Sequence, residues 1–218
     1  MSMNIQYFGH SYFKIETKGA TLAVNPYSEL PNLKTNKPPR FKADILLISE
    51  PTELFNNQQT ILGTPFVLAE PGEVEINQIL IKSIFNFSFQ KNDVFFNKVI
   101  FKIEAEDIEV GIINDLREKV IKEKLFEELS GVDILILPVG GDSPIDSELA
   151  ISVINQIEPK IVIPAFYYPL KQKLEKEEEI YNDFLATIKK KPELMEKLTI
   201  KKNQLPQATK IIILKNLS

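Results

Sequence analysis

A chain of 218 residues with one histidine and no cysteine excludes disulfides, thiolate zinc sites, iron–sulfur ligation and cysteine nucleophiles, and leaves His10 as the sole imidazole for acid–base work. Its 26 basic and 30 acidic residues give a net charge of −4 and a pI near 5.3, which argues against nucleic acid or an anionic membrane surface as a partner. With 44% hydrophobic and 26% charged residues the chain can build a substantial core, no apolar run approaches the ~20 residues of a membrane span, and the start of the chain lacks the zones of a signal peptide, so a cytoplasmic protein is expected.

The first quarter reads as strands, because short β-branched and aromatic stretches are punctuated by Gly or Asn with no helical period. Residues 4–8, 11–16 and 21–24 are the first three. A loop with four prolines follows between Asn25 and Arg40, since proline forbids regular helix there. The run Asp44-Ile-Leu-Leu-Ile-Ser49 is apolar throughout, as a strand buried on both faces is. Another short strand is expected over 66–69, then a strand-rich region from Glu73 to Ile113 with turns at 90–93 and 104–107.

The second half alternates helix and strand. Helical spacing of Val120, Ile121, Leu125, Phe126 and Leu129 predicts a helix over 118–129, and Leu149, Ala150, Val153, Ile154 and Ile157 predict another over 145–157. Its start carries Ser143 as the expected cap, Pro144 at the first helical position and Asp146 near the positive end of the dipole. Buried strands are expected over 133–137 and 160–163, a long charged helix over 170–190, and a closing strand over 210–214. Strands followed by a βαβα alternation, with no linker between, suggest one domain over 1–218 made of two sheets covered by helices. There is no Gly-x-Gly-x-x-Gly after the first strand and no Gly-Lys-Ser/Thr loop, so phosphate binding by those devices has no support.

Asn4-Ile-Gln-Tyr-Phe-Gly-His-Ser-Tyr-Phe-Lys-Ile-Glu16 followed by Thr21-Leu-Ala-Val-Asn-Pro26 resembles the opening of the metallo-β-lactamase superfamily, in its branch of small hydrolases related to L-ascorbate-6-phosphate lactonase. In the same order come Ala43 to Ser49, Glu70-Pro-Gly-Glu-Val-Glu-Ile76, Gly111-Ile-Ile-Asn-Asp-Leu116, Gly131 to Gly141, Gln156 to Pro164, and Lys201 to Pro206 before the last strand. The resemblance spans nearly the whole chain and implies a mixed α/β, four-layer αββα sandwich. It also implies a metal loop after the strand at 45–49, rich in imidazole and carboxylate.

That loop is where the match fails. Here the place reads Glu50-Pro-Thr-Glu-Leu-Phe55, so Glu50, Thr52, Leu54 and Phe55 stand where ligands would be. A further family histidine falls within Asn86-Phe-Ser88, with Ser88 at its place, and the last falls at Phe166. Asp115 alone survives of the implied set. Phenylalanine at former ligand positions would fill a polar cavity with apolar packing, worth roughly 1.5–3 kcal/mol per fully enclosed ring. The expectation is a degenerate member that keeps the fold, holds no metal and has lost the zinc-hydrolase chemistry, acting as a binding or assembly module.

The alternative is a hydrolase of phosphoesters or lactones using a weakly held Mg²⁺ or Mn²⁺ on carboxylates, with Asp115 as ligand, Glu50 as ligand or base and His10 as proton donor. Glu50, Glu53 and Asp115 are the oxygen donors such an ion would take. Each residue also has a plainer reading. His10 suits a turn histidine bonded to backbone, Asp115 suits a cap on a helix starting near Arg117, and Glu50 and Glu53 suit solvated acids at a helix start. Gly140-Gly141 suits a tight turn better than an anion cradle. The basic residues of 189–202 and of the loop 34–42 lack interleaved stacking aromatics, so a solvated face is the better account. Phe85, Phe87, Phe89, Phe95 and Phe96 alternate at strand period, which favours core packing, or a homo-oligomer contact wherever one face is exposed.

Overall fold

The structure is a computed structural model, and it describes residues 2–28, 37–52, 55–91, 93–116, 123–139, 145–166 and 178–218. Its strands form two sheets. The first contains β1 (Met3–Tyr7), β2 (Phe13–Glu16), β3 (Thr21–Val24), β5 (Ile45–Leu47), β7 (Phe66–Leu68) and β15 (Leu198–Ile200), in the order β15-β1-β2-β3-β5-β7. The second contains β8 (Gly72–Ile76), β9 (Ile79–Lys91), β10 (Val94–Ala105), β11 (Ile108–Ile112), β12 (Ile134–Val139), β13 (Ile161–Phe166), β14 (Glu193–Met195) and β16 (Lys210–Leu214), ordered β14-β16-β13-β12-β11-β10-β9-β8. A separate pair joins β4 (Phe41–Lys42) to β6 (Ile61–Leu62).

The inner faces of the two sheets share one core. Met3, Ile5 and Tyr7 of β1 alternate with half-buried Asn4 and Gln6, and they pack in the same cluster as Ile100, Phe101 and Ile103 of β10. This period of two is what a strand with one buried face requires. By contrast β12 is buried at all six positions, because helices cover its other face. Those helices are α1 (Glu123–Leu129), α2 (Ser147–Ile157) and α3 (Glu178–Ile188); α2 and α3 pack on each other and on β12, and α1 packs on α2. Gly111 of β11 leaves room for Leu129 of α1, since a Cβ there would stand 3.3 Å from the Leu129 side chain. The first sheet is covered differently. Its outer face carries a second apolar cluster of Phe8, Tyr12, Ala23, Tyr27, Ala43, Leu46, Ile48 and Ile61, with Phe41 packed on it.

The mixed α/β sandwich expected from the sequence is present, and the strands at 21–24 and 210–214 have their expected bounds. Two details differ. Helix α2 begins at Ser147 and its cap is Asp146, whose carboxylate accepts from the Leu149 N–H at 2.7 Å; the expected cap Ser143 and Pro144 lie outside the described residues. Asp146 wins because its extended backbone, φ −70 and ψ 169, aims a short acceptor at the free N–H groups of the first turn. The strand-rich region also contains a turn that the sequence reading passed over, Asn77-Gln78 between β8 and β9, with φ of 52 and 65. Gly19, in the turn between β2 and β3, presses against it: a Cβ on Gly19 would stand 2.3 Å from the Asn77 carbonyl. No helix among the described residues is long and apolar enough to cross a membrane.

Candidate functional site

β3, β5, β11, β12 and β13 all run toward one end of the sandwich. The segments that leave them there are Asn25 to Tyr27, Ile48 to Thr52 and Ile113 to Leu116. Backbone bonds pin these segments in place. Asn25 N–H donates to the Leu47 carbonyl, and the Ser49 N–H donates to Asn25 Oδ1 at 2.8 Å. The Thr52 N–H returns to the Glu50 carbonyl at 2.8 Å and the Phe55 N–H to the Thr52 carbonyl at 2.9 Å, which fixes Glu50 to Thr52 as a tight turn and holds Phe55 against it.

A β-bulge completes the mouth from the second sheet. Lys98 of β10 pairs with Phe87 of β9, but the next residue, Val99, pairs with Phe85, which leaves Asn86 as the extra residue. Bulges re-aim side chains and free ladder groups. Here the Asn86 amide donates to the Asp115 carbonyl at 2.6 Å, and the Val99 N–H donates to the Ser49 carbonyl at 3.0 Å. The second of these bonds joins the two sheets.

Lys98 stands at the centre. Its Nζ lies 2.7 Å from Glu50 Oε2 and 2.6 Å from Asp115 Oδ2, and it sits 5.3 Å and 5.4 Å from the ring centroids of Phe87 and Phe89. The three charged side chains are only 17%, 14% and 13% exposed. One ammonium therefore bridges two carboxylates that arrive from different sheets, with two aromatic faces beside its remaining surface.

Of the sequence-predicted positions, the structure brings Glu50 and Asp115 together. Thr52 lies in the same turn. Phe55 is buried, 4% exposed. Ser88 goes elsewhere: it is exposed and donates to Asn97 Oδ1 at 2.9 Å, on the face of the hairpin opposite Phe87 and Lys98, while its neighbour Asn86 is the residue that reaches the mouth. Glu53, Leu54, Arg117, Gly140 and Gly141 lie outside the described residues, as does the side chain of Phe166. The capping role expected for Asp115 falls in the same gap, and what the structure assigns its carboxylate is Lys98.

His10 belongs to the turn between β1 and β2, at φ 51. Its carbonyl accepts from the Tyr7 hydroxyl at 3.0 Å and its ring lies 4.9 Å from that of Tyr27. Burial lowers its pKa to about 4, so the imidazole is neutral at pH 7. Lys98 itself was missed by sequence reasoning. The available signal was a lysine inside an aromatic strand, Phe95-Phe-Asn-Lys-Val-Ile100, facing the same way as Phe96 and Ile100, together with two carboxylates elsewhere in need of a counter-charge.

Four buried side-chain atoms of these segments have no hydrogen-bond partner among the described residues: Asn25 Nδ2, Ser49 Oγ, Thr52 Oγ1 and Asn114 Nδ2. Buried polar groups are nearly always satisfied, so their concentration at one end of the molecule sets it apart. Among the described residues, no three His, Cys, Asp or Glu side chains come together so as to hold a metal ion.

The family model for the β-lactamase superfamily domain matches residues 4–165. A UPF0173 metal-dependent hydrolase of Bacillus cereus is 27% identical over 195 residues, covering 76% of this chain and 86% of its own length. Among solved structures, a Thermotoga maritima protein described as a zinc-dependent hydrolase of the metallo-β-lactamase superfamily superposes with a TM-score of 0.72 at 23% identity, covering 97% of this chain and 98% of its own. A metallo hydrolase of Ignicoccus hospitalis gives 0.64 at 18%, covering 92% and 99%. With a family match over most of its length and a fold shared with these structures, the chain belongs to the β-lactamase superfamily.

Proposed function

We propose that this chain, as one domain over 1–218, keeps the superfamily fold without its metal hydrolysis and serves as a binding or assembly module. The observation that carries this reading is the Glu50–Lys98–Asp115 centre. Among the described residues the donor set does not fit a zinc or iron centre. Of the positions that the family resemblance assigns to ligands, Thr52 supplies a hydroxyl and Phe55 a ring. The two carboxylates are already bonded to the Lys98 ammonium, whose positive charge repels a metal cation at the same oxygens and lowers their affinity for it. Asn25, Ser49, Thr52 and Asn114 each present a buried polar atom with no partner among the described residues, which favours a cleft that binds over one that is merely filled.

Elemental analysis of the purified chain tests it directly: zinc, iron and manganese are expected well below one per chain. One or more tightly bound per chain would overturn the reading.

A second reading is favoured by the comparisons, since the curated relative is named a metal-dependent hydrolase. It is a phosphoester or lactone hydrolase with Mg²⁺ or Mn²⁺ on Asp115 and Glu50 and with His10 as proton donor. It requires Lys98 to leave both carboxylates and requires a buried, neutral imidazole to supply a proton. Turnover of phosphodiesters, phosphomonoesters or lactones that depends on added Mn²⁺ and disappears in Asp115→Asn would establish it in place of the first.

A further inference from the structure

We propose that the Lys98 ammonium is the resident cation of this cleft, doing for Glu50 and Asp115 what a metal ion would otherwise do and keeping divalent ions out while it is there. The inference rests on the metal-free reading above and deepens it by naming the group responsible. Three observations carry it. Both carboxylates lie within 2.7 Å of the same nitrogen, contacts as short as charge-assisted hydrogen bonds become. The carboxylates come from different sheets, Glu50 from the turn after β5 and Asp115 from the segment after β11, so the ammonium holds the two together where they open. The lysine is also delivered by a dedicated device: the bulge at Asn86 places Lys98 beside both acids while Asn86 itself fastens the Asp115 carbonyl.

A divalent ion between Glu50 and Asp115 would share two oxygens with a cation already in contact with them. Like charges at that separation in a partly buried site repel strongly. Removing the ammonium should therefore have two linked effects. The facing carboxylates should destabilise the fold, and they should acquire affinity for oxygen-seeking ions.

The experiment compares wild type, Lys98→Met, which keeps the length of the stem, and the double variant Lys98→Met with Asp115→Asn. Melting temperature is read without metal and with millimolar MnCl₂ or MgCl₂, and Mn²⁺ binding by calorimetry. Wild type is expected to be unmoved by Mn²⁺. Lys98→Met is expected to melt several degrees lower, to bind Mn²⁺, and to recover part of the loss when it does. The double variant should recover stability without metal and lose the Mn²⁺ response.

A folded Lys98→Met that binds no more Mn²⁺ than wild type overturns the inference. So does wild-type Mn²⁺ binding that Asp115→Asn abolishes. Should Lys98→Met alone fail to fold, the double variant decides: recovery of a cooperative melt supports the inference and continued failure overturns it. Tight metal in wild type that survives Asp115→Asn would instead overturn the metal-free function and leave the role of Lys98 standing. Loss of the Lys98→Met response in a metal-free wild type would do the reverse.

Discussion

The two ends of the sandwich each hold a three-residue ion cluster, with opposite stoichiometry. At the mouth one ammonium, Lys98, serves two carboxylates, and all three side chains are under 20% exposed. At the other end one carboxylate, Asp133, serves two ammoniums: Lys160 at 2.8 Å and Lys202 at 2.8 Å, with the Glu109 N–H as a third donor at 3.0 Å. Asp133 is 3% exposed, but its lysines are 44% and 49% exposed. The Asp133 cluster is a staple. It ties the start of β12 to β11 and to the segments carrying Lys160 and Lys202, and its lysines keep their water. The Lys98 cluster has no such relief, because removing its centre strands two acids away from solvent.

The largest expected effect breaks that contrast if it fails to appear. Lys98→Met should cost about 4 kcal/mol in urea unfolding, the range for taking one partner from a buried ion pair. Lys98→Met with Asp115→Asn should recover a good part of it, and a Lys98→Met loss of only about 2 kcal/mol, the cost expected for removing the centre of the other cluster, would make the two equivalent.

Acid separates the two ends by their pH windows. His10, in the turns beside the mouth, has its pKa lowered by burial from 6.5 to about 4, so between these values the unfolded chain binds more protons than the folded one. Stability is full above pH 6.5 and falls as pH drops toward 4, by about 3 kcal/mol. His10→Asn, which tolerates the positive φ, should flatten that part of a stability-against-pH curve.

At the other end burial would raise the Asp133 pKa, but hydrogen bonds from Lys160, Lys202 and the Glu109 N–H outweigh it and hold the carboxyl below its ordinary value. Its contribution is present above the ordinary carboxylate pKa and is lost as pH falls through the lower folded one. Asp133→Asn should therefore cost about 2 kcal/mol at pH 7, read by urea denaturation, because it removes charged hydrogen bonds and leaves only exposed lysines unpaired. Smallest of all, Lys160→Ala or Lys202→Ala alone should change stability by less than about 1 kcal/mol. A larger loss from either would show that the staple depends on that lysine in particular.

The pattern of burial explains what was legible beforehand. β1, β5, β12 and α2 could be read because a period of two, a continuous apolar run and a helical stripe are each local records of how many faces are covered. The β8–β9 turn was missed because Asn77-Gln78 lacks a glycine, although both residues adopt positive φ. The cap of α2 was misplaced because Ser143 and Asp146 both qualify by chemistry, and only the fold shows that the helix starts at Ser147 with Asp146 in an extended conformation before it.

At the site, Glu50 and Asp115 were found as separate positions. Their meeting was not. The amino-acid sequence by itself determined that no thiolate or imidazole cluster can exist here and that the strands and turns of the superfamily scaffold are retained. Only the tertiary structure decided which cation the two acids face. A lysine's partner is set by long-range register, in this case by one extra residue at Asn86, and nothing within a few positions of Lys98 records it.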